Sequence, residues 1–294
     1  MNPILTIFLV TYNHEKTIGD TFRGIINQKT KYSFVVKILE DHSTDRTLDV
    51  CQENIRKYPE IFQLFAQQKN TKGAHIRSAL ENEIQTPYFT IIEGDDYWIN
   101  EKHIDNAISF LEHNREYNMY ACNVFHSSDN EVKDSLEVQN LDKEKIGHNI
   151  SLDNYIYLQT SGRVYRHIFN INDMPINTIE RDIYLYYLYL DKGKCFFDHN
   201  VSSVYRISSS GVWNSLSKKE KKDCSFEVVF IGTKLLNYRH PEFFVKILPK
   251  CILKKASRII GCRMVVYLLV FYFSIKILGK NIIRRLKQDI MNND

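Results

Sequence analysis

The 294-residue chain holds six cysteines, Cys51, Cys122, Cys195, Cys224, Cys251 and Cys262, and no two of them form a C-x-x-C pair. Spacings that wide exclude a zinc knuckle and a disulfide framework, and read as reduced thiols in a packed interior. The opening MNPILTIFLVTYN has neither a basic segment nor a small-residue cleavage site, so it does not read as a secretory leader. The expected location is therefore cytoplasmic, and the N-x-S triplets at Asn149 and Asn200 carry no weight. No apolar run reaches the roughly 20 residues of a spanning helix. The run MVVYLLVFYFSI at residues 264–275 covers twelve. No internal repeat is present. No Gly-rich, Lys/Arg-bearing loop follows the first apolar run, where TYNHEKTIG stands instead, and a triphosphate-binding enzyme would ordinarily have one there.

What is present is ordinary in amount and uneven in placement. The chain is 44% hydrophobic and 25% charged, enough to bury a full core. Its net charge of +4 hides an asymmetry. Residues 243–288 contain eleven Lys or Arg and no acid, whereas the rest carries 28 basic and 35 acidic residues. A basic tail of this kind suits an anionic surface. Its apolar centre favours a membrane interface over nucleic acid, with a core-packing helix as the alternative.

Along the first 125 residues, short apolar runs alternate with helical periodicity. Strands are expected at residues 4–10, 34–39, 61–65, 88–92 and 119–125. Helices are expected at 16–29, 45–58, 74–84 and 101–113. Residues 126–150 show no periodicity and read as a loop. Beyond them, a helix is expected near 179–190 and short strands near 195–197 and 202–206. The order implies an α/β fold, a doubly wound sheet whose ligands bind beyond the carboxyl ends of its strands. Three polar clusters should then share one rim: Thr11-Tyr12-Asn13, Glu40-Asp41-His42-Ser43 and Glu93-Gly94-Asp95-Asp96.

Carboxylates packed as closely as Glu93, Asp95 and Asp96 raise one another's pKa unless a cation offsets them. A hard divalent ion shared with a diphosphate would do so, and a solvated turn with a helix-capping Asp is the alternative. Asp41 stands just past a buried run with no capping task to explain it. A carboxylate there can accept a hydrogen bond from an imide N–H. Glu40 lies either at the rim or in the sheet.

The segments FLVTYNHEKTI, ILEDHSTDRT and FTIIEGDDYW resemble, in order and spacing, three motifs of the family 2 glycosyltransferases with the GT-A fold. The resemblance implies a single mixed sheet with a nucleotide-binding N-terminal half. Residues 1–215 would form the transferase domain, divided into 1–125 and an acceptor-side half at 126–215, and 216–294 a basic helical extension. It further implies that Thr11, Tyr12 and Asn13 line the nucleotide pocket and that Asp41 binds the base imide. Arg77 would support the diphosphate or base, and Asp95 and Asp96 would hold ribose and a Mn²⁺ or Mg²⁺ ion. Glu93, standing where Asp is usual, is a further candidate ligand. His42 replaces a turn glycine and Ser78 an Asn, which leaves the base pocket's shape open.

Residues 179–213 resemble the family's later segment, in which a carboxylate opening a helix is the general base. Asp182 fits, with Glu180 as the alternate, although either could simply charge a helix N-terminus. Arg206 is a candidate for the diphosphate or for a rim acid, Trp213 for a sugar face, and His199 for an additional metal ligand or a structural histidine. Ser161-Gly162 would form a tight turn near the sugar. The expectation is a metal-dependent, inverting transferase that moves a sugar from a nucleotide-diphosphate donor, UDP above all, to a hydroxyl of a lipid-linked or surface-glycan acceptor. It would sit peripherally on the cytoplasmic face of the membrane, without nucleic-acid partners. The rivals are a nucleotidyltransferase on a related sheet and a non-catalytic glycan-assembly scaffold.

Overall fold

Two apolar segments, LTIFLVT and YFTIIE, are buried along nearly their whole length. Strands this continuous belong inside a parallel sheet covered on both faces. In the computed structural model they are β1 (Leu5–Thr11) and β4 (Tyr88–Glu93), paired in parallel at the sheet centre. The structure describes residues 2–73, 76, 79–80, 82–128, 131–168 and 181–208, with isolated positions at 216–217, 220–221, 231, 236, 240 and 243. The chain divides into two compact units, Met1–Ser215 and Leu216–Asp294. In the second, the described positions include the buried Leu236 and Phe243.

In the first unit, β2 (Phe34–Glu40) and β3 (Phe62–Ala66) extend the parallel sheet from β1. Helix α1 (Ile18–Ile26) turns Ile18, Phe22 and Ile25 onto it, at the i, i+4, i+7 spacing of one helical face. Helix α2 (Thr47–Lys57) buries Cys51, and α3 (His103–His113) buries Ile104, Ala107, Ile108 and Leu111. Asp45 accepts the Thr47 backbone N–H at 2.9 Å, which satisfies one donor at the start of α2. The helix expected at 74–84 lies largely outside the described residues, although Ala79, Leu80 and Ile84 are buried.

The second half departs from its expected layout. The two-residue β5 (Tyr97–Trp98) follows β4, and β6 (Tyr117–Ser128) comes after α3. Residues 126–150 are not a loop. β6 runs on through Ser128, β7 (Glu131–Asp134) folds back along it, a short helix spans Ser135–Val138, and β8 (Asn149–Ile150) pairs elsewhere. Most of β7 faces solvent, so its side chains carry no apolar period to read. β9 (Arg163–Arg166) is antiparallel and sits between β4 and β6. Helix α4 (Arg181–Lys192) precedes β10 (Lys194–Arg206), one strand where two were expected. Its pairing with β6 slips around Asp198–Ser203, and that polar bulge had looked like a break. The sheet order is β3-β2-β1-β4-β9-β6-β10-β5, with β7 on β6 and β8 on β10.

Candidate active site

β1, β2, β4, β6 and β10 all point the same way, so their carboxyl ends share one rim. β9 points the opposite way and brings to that rim the residues just before it, the helical turn Thr160–Gly162. Ligands of such sheets bind at this edge.

The loop after β4 is held by α1. Thr17 Oγ1 donates to the Gly94 carbonyl at 3.0 Å, and Thr21 Oγ1 donates to that of Asp96 at 2.6 Å. Gly94 is a packing requirement: a Cβ there would lie 2.7 Å from both His14 Nδ1 and Thr11 Oγ1. The three acids then separate. Asp96 turns inward and is buried; its Oδ1 accepts the Arg206 backbone N–H at 3.1 Å, and the Ser161 side chain hydrogen-bonds to it. Burial, then Glu93 and Asp95, push its pKa well above the carboxylate range. Asp95 stays half-buried, with His14 Nε2 3.8 Å from its Oδ2. Glu93 is raised to about 8 by burial, then by Asp95 and Asp182. Burial lowers the pKa of His14 against the pull of Asp95 and Asp45.

Asp182 reaches the same rim through the turn before β9, where Thr160 bonds to Asp182 and the next residue, Ser161, bonds to Asp96. Asp182 lies in the first turn of α4, where the helix dipole favours a carboxylate. Thr160 Oγ1 donates to its Oδ2 at 2.9 Å and the Tyr157 hydroxyl does so at 3.5 Å. Tyr205 faces the same space: burial, then Asp96, Glu93, Asp95 and Asp182, raise its phenol to about 12.

The nucleotide-side residues are more occupied than expected. Asp41 does have a structural task. Its Oδ1 accepts the backbone N–H and hydroxyl of Thr71, each at 2.8 Å, and its Oδ2 accepts the Gly73 N–H at 3.0 Å. Glu40 turns inward and accepts the N–H groups of His42 and Ser43. Thr11 is buried against His14, so it braces the pocket from behind. Asn13 adopts φ 56° and its Oδ1 accepts the Thr44 N–H at 2.8 Å, which ties the first rim cluster to the second. Tyr12 is exposed. His42 has φ 62°, the left-handed conformation that a glycine adopts without cost.

Arg206 is engaged by an acid. It pairs with Asp20, which also pairs with Arg23, donates to the Asp95 carbonyl at 3.0 Å, and stacks over Tyr97 at 4.4 Å. His199 is not brought to the rim. It lies seven residues before Arg206 on β10, roughly 20 Å at strand rise, with its ring centroid 4.7 Å from that of His148. Arg77, Glu180 and Trp213 lie outside the described residues. The sequence pattern carried no signal for His14, Asp20, Tyr157, Thr160 or Arg163 as site residues.

Among the described residues, no three His, Cys, Asp or Glu side chains are placed to cage a metal ion. The donors do fit an ion that takes one or two carboxylates from the protein and the rest of its shell from phosphate oxygens. Asp95 and Glu93 are available for this; burial first, then the neighbouring Asp95 and Asp182, raise the pKa of Glu93. Asp96 is committed elsewhere.

The family model described as Glycosyl transferase family 2 matches residues 6–210. The uncharacterized protein Rv1520 of Mycobacterium tuberculosis is 26% identical over 226 residues, 74% of this chain, and the match spans 63% of that relative's length. S. aureus TarS 1–349 in complex with UDP superposes with a TM-score of 0.59 at 16% identity, over 90% of this chain and 87% of that one. The mannosyltransferase PcManGT from Pyrobaculum calidifontis, in complex with GDP-Man and Mn²⁺, gives 0.58 at 14% identity over 94% and 81%.

Proposed function

The chain belongs to glycosyl transferase family 2, and from that premise we propose that it transfers a sugar from a nucleoside-diphosphate donor, UDP-linked by preference, to a hydroxyl of a glycan acceptor. One observation carries this reading: an acidic strand end and a helix-borne carboxylate, far apart in sequence, are both bonded to the turn Thr160–Gly162, at Ser161 and Thr160 respectively. S. aureus TarS, solved in complex with UDP-GlcNAc, and PcManGT, solved with GDP-Man and Mn²⁺, share the fold, which supports a donor of this class.

Tyr12 and the Asn13–Thr44 junction would border the nucleotide. Asp41 would act there by fixing the loop at Thr71–Gly73. Asp95 and Glu93 would hold a Mn²⁺ or Mg²⁺ ion, which offsets the charge of the departing diphosphate when bound. Asp182 is the base. The acceptor hydroxyl gives its proton to the carboxylate as its oxygen bonds to the anomeric carbon. The bond from that carbon to the diphosphate breaks, its electron pair leaves with the nucleotide, and configuration inverts. The neutral Tyr205 phenol offers a donor to substrate oxygens in the same space.

The acceptor reading draws on the tail. The composition of residues 243–288 supports a peripheral site on an anionic membrane and hence a lipid-linked acceptor. Among the described residues no helix is long and apolar enough to cross a membrane.

The test is a panel of UDP-, GDP- and dTDP-sugars with Mn²⁺ or Mg²⁺, scored for nucleotide release. Metal-dependent release from one sugar nucleotide, reduced to a small residual rate in Asp182→Asn, is the expected result. Pyrophosphate release from a nucleoside triphosphate would point to nucleotidyl transfer instead. Absence of both binding and turnover for every donor would favour a scaffold.

A further inference from the structure

Arg163 opens β9 and is fully buried. An enclosed guanidinium is costly unless its N–H groups are paired and its charge is met. Its Nε donates to the Leu158 carbonyl at 2.8 Å, and Nη2 donates to the same oxygen. Nη1 donates to the Tyr165 hydroxyl and to the Asp182 backbone carbonyl, each at 3.2 Å. The cation lies 4.4 Å from the Tyr186 ring and 5.5 Å from that of Tyr157. Its Nη2 stands 4.0 Å from Asp182 Oδ2. Burial works against the charge, but the pKa of the group is nonetheless raised, and an arginine keeps its proton in any case.

The two oxygens of Asp182 are treated differently. Oδ2 takes the contacts from Thr160, Tyr157 and Arg163, while Oδ1 has no partner among the described residues. A carboxylate gripped by one oxygen presents the other in a fixed direction. A core that needed only volume at position 163 would be served as well by an apolar side chain.

We propose that Arg163 is a positioning residue for the proton-accepting carboxylate: it holds the first turn of α4 through the Asp182 carbonyl, fixes Oδ2, and leaves Oδ1 aimed at the acceptor hydroxyl. This rests on Asp182 being the base. Arg163 itself touches no substrate.

The experiment is a double-mutant cycle on turnover of the sugar nucleotide cleaved fastest in the panel, with water as acceptor. A misplacement of about 1 Å costs about 10²-fold in rate, so Arg163→Met should lower kcat about 10²-fold with donor KM unchanged. Arg163→Lys keeps the charge without the fork. It should recover part of that loss, and it serves in the cycle if Arg163→Met does not fold. In an Asp182→Asn background, either substitution should change the residual rate by less than about threefold, because residues acting as a unit are not additive. The same fold-loss in both backgrounds, or unchanged kcat in Arg163→Met, overturns the positioning role alone. Near-wild-type turnover by Asp182→Asn overturns the base assignment, and the proposal with it.

Discussion

Asp96 accepts the backbone N–H of Arg206 at 3.1 Å, across 110 positions of sequence. The bond turns the last acid of the rim into a structural clasp between the β4 loop and the end of β10. Asp95, one residue earlier, keeps its carboxylate toward solvent and His14. Stability and ligand binding should therefore separate between these neighbours. Asp96→Ala strands a buried N–H and should cost about 1–3 kcal/mol in urea unfolding. Asp95→Ala should stay within about 0.5 kcal/mol yet abolish Mn²⁺-dependent UDP binding by calorimetry. Equal effects on folding from both would refute the division.

Gly94→Ala should act on the site through His14. Its new Cβ must displace His14 and Thr11, each 2.7 Å away. Overpacking of this kind costs about 1–3 kcal/mol. Donor binding should weaken in parallel as His14 leaves Asp95. Unaltered stability and donor affinity together would show that the close approach is not needed.

His42→Gly should stabilise the fold. The left-handed backbone at φ 62° costs a side-chain-bearing residue about 1–2 kcal/mol, and the added chain entropy of glycine returns part of that. The expected net gain is roughly 0.5–1 kcal/mol in the urea midpoint. A loss would mean that the imidazole makes contacts that outweigh the strain.

His103 predicts a pH dependence. It is fully buried beside Trp98, and neither ring nitrogen has a hydrogen-bond partner among the described residues. Burial lowers its pKa from 6.5 to about 4. Above 6.5 both folded and unfolded forms are neutral and its contribution is complete. As pH falls from 6.5 toward 4 the unfolded chain takes up the proton first, so stability is lost, on the order of 3 kcal/mol. His103→Phe should flatten that part of the profile in urea titrations at pH 7 and pH 4.5. An unchanged slope would assign it to other histidines.

The basic tail gives a prediction about surfaces. The full chain should co-sediment with phosphatidylglycerol vesicles and not with neutral phosphatidylcholine, and should dissociate as salt shortens the Debye length. Binding to both lipids alike, or to neither, would remove the membrane from the proposed function.

The first four strands were legible because segments such as Ile4–Val10 and Tyr88–Ile92 are apolar at all but one position, a pattern that burial on both faces demands. The rim was legible for the same reason, since polarity begins abruptly where those runs stop. Side-chain direction was not. Asp95 and Asp96 are chemically identical, and only the arrival of β10 turns one inward. Asp41 appeared free because the loop that occupies it lies thirty residues on. β10 appeared as two strands because Asp198, His199 and Asn200 are polar and the register slips beside them. Arg163 was passed over because an arginine in sequence suggests solvent, and nothing local announces a cage of tyrosines.

The order of strands in the sheet also sets an order in time. Among the described residues β5 pairs with β10 alone, and Trp98 meets Ser203 after more than a hundred further residues have been made. During synthesis, β1 through β4 can assemble early, while β5 waits as a bare edge for a partner not yet translated. Pairing over such separations in sequence is slow. Through that interval the acids at 93–96 lack the Arg206 clasp, so a nascent chain can hold most of its sheet before it holds any site, and a chaperone that covers β5 would be guarding the last step at which the site is completed.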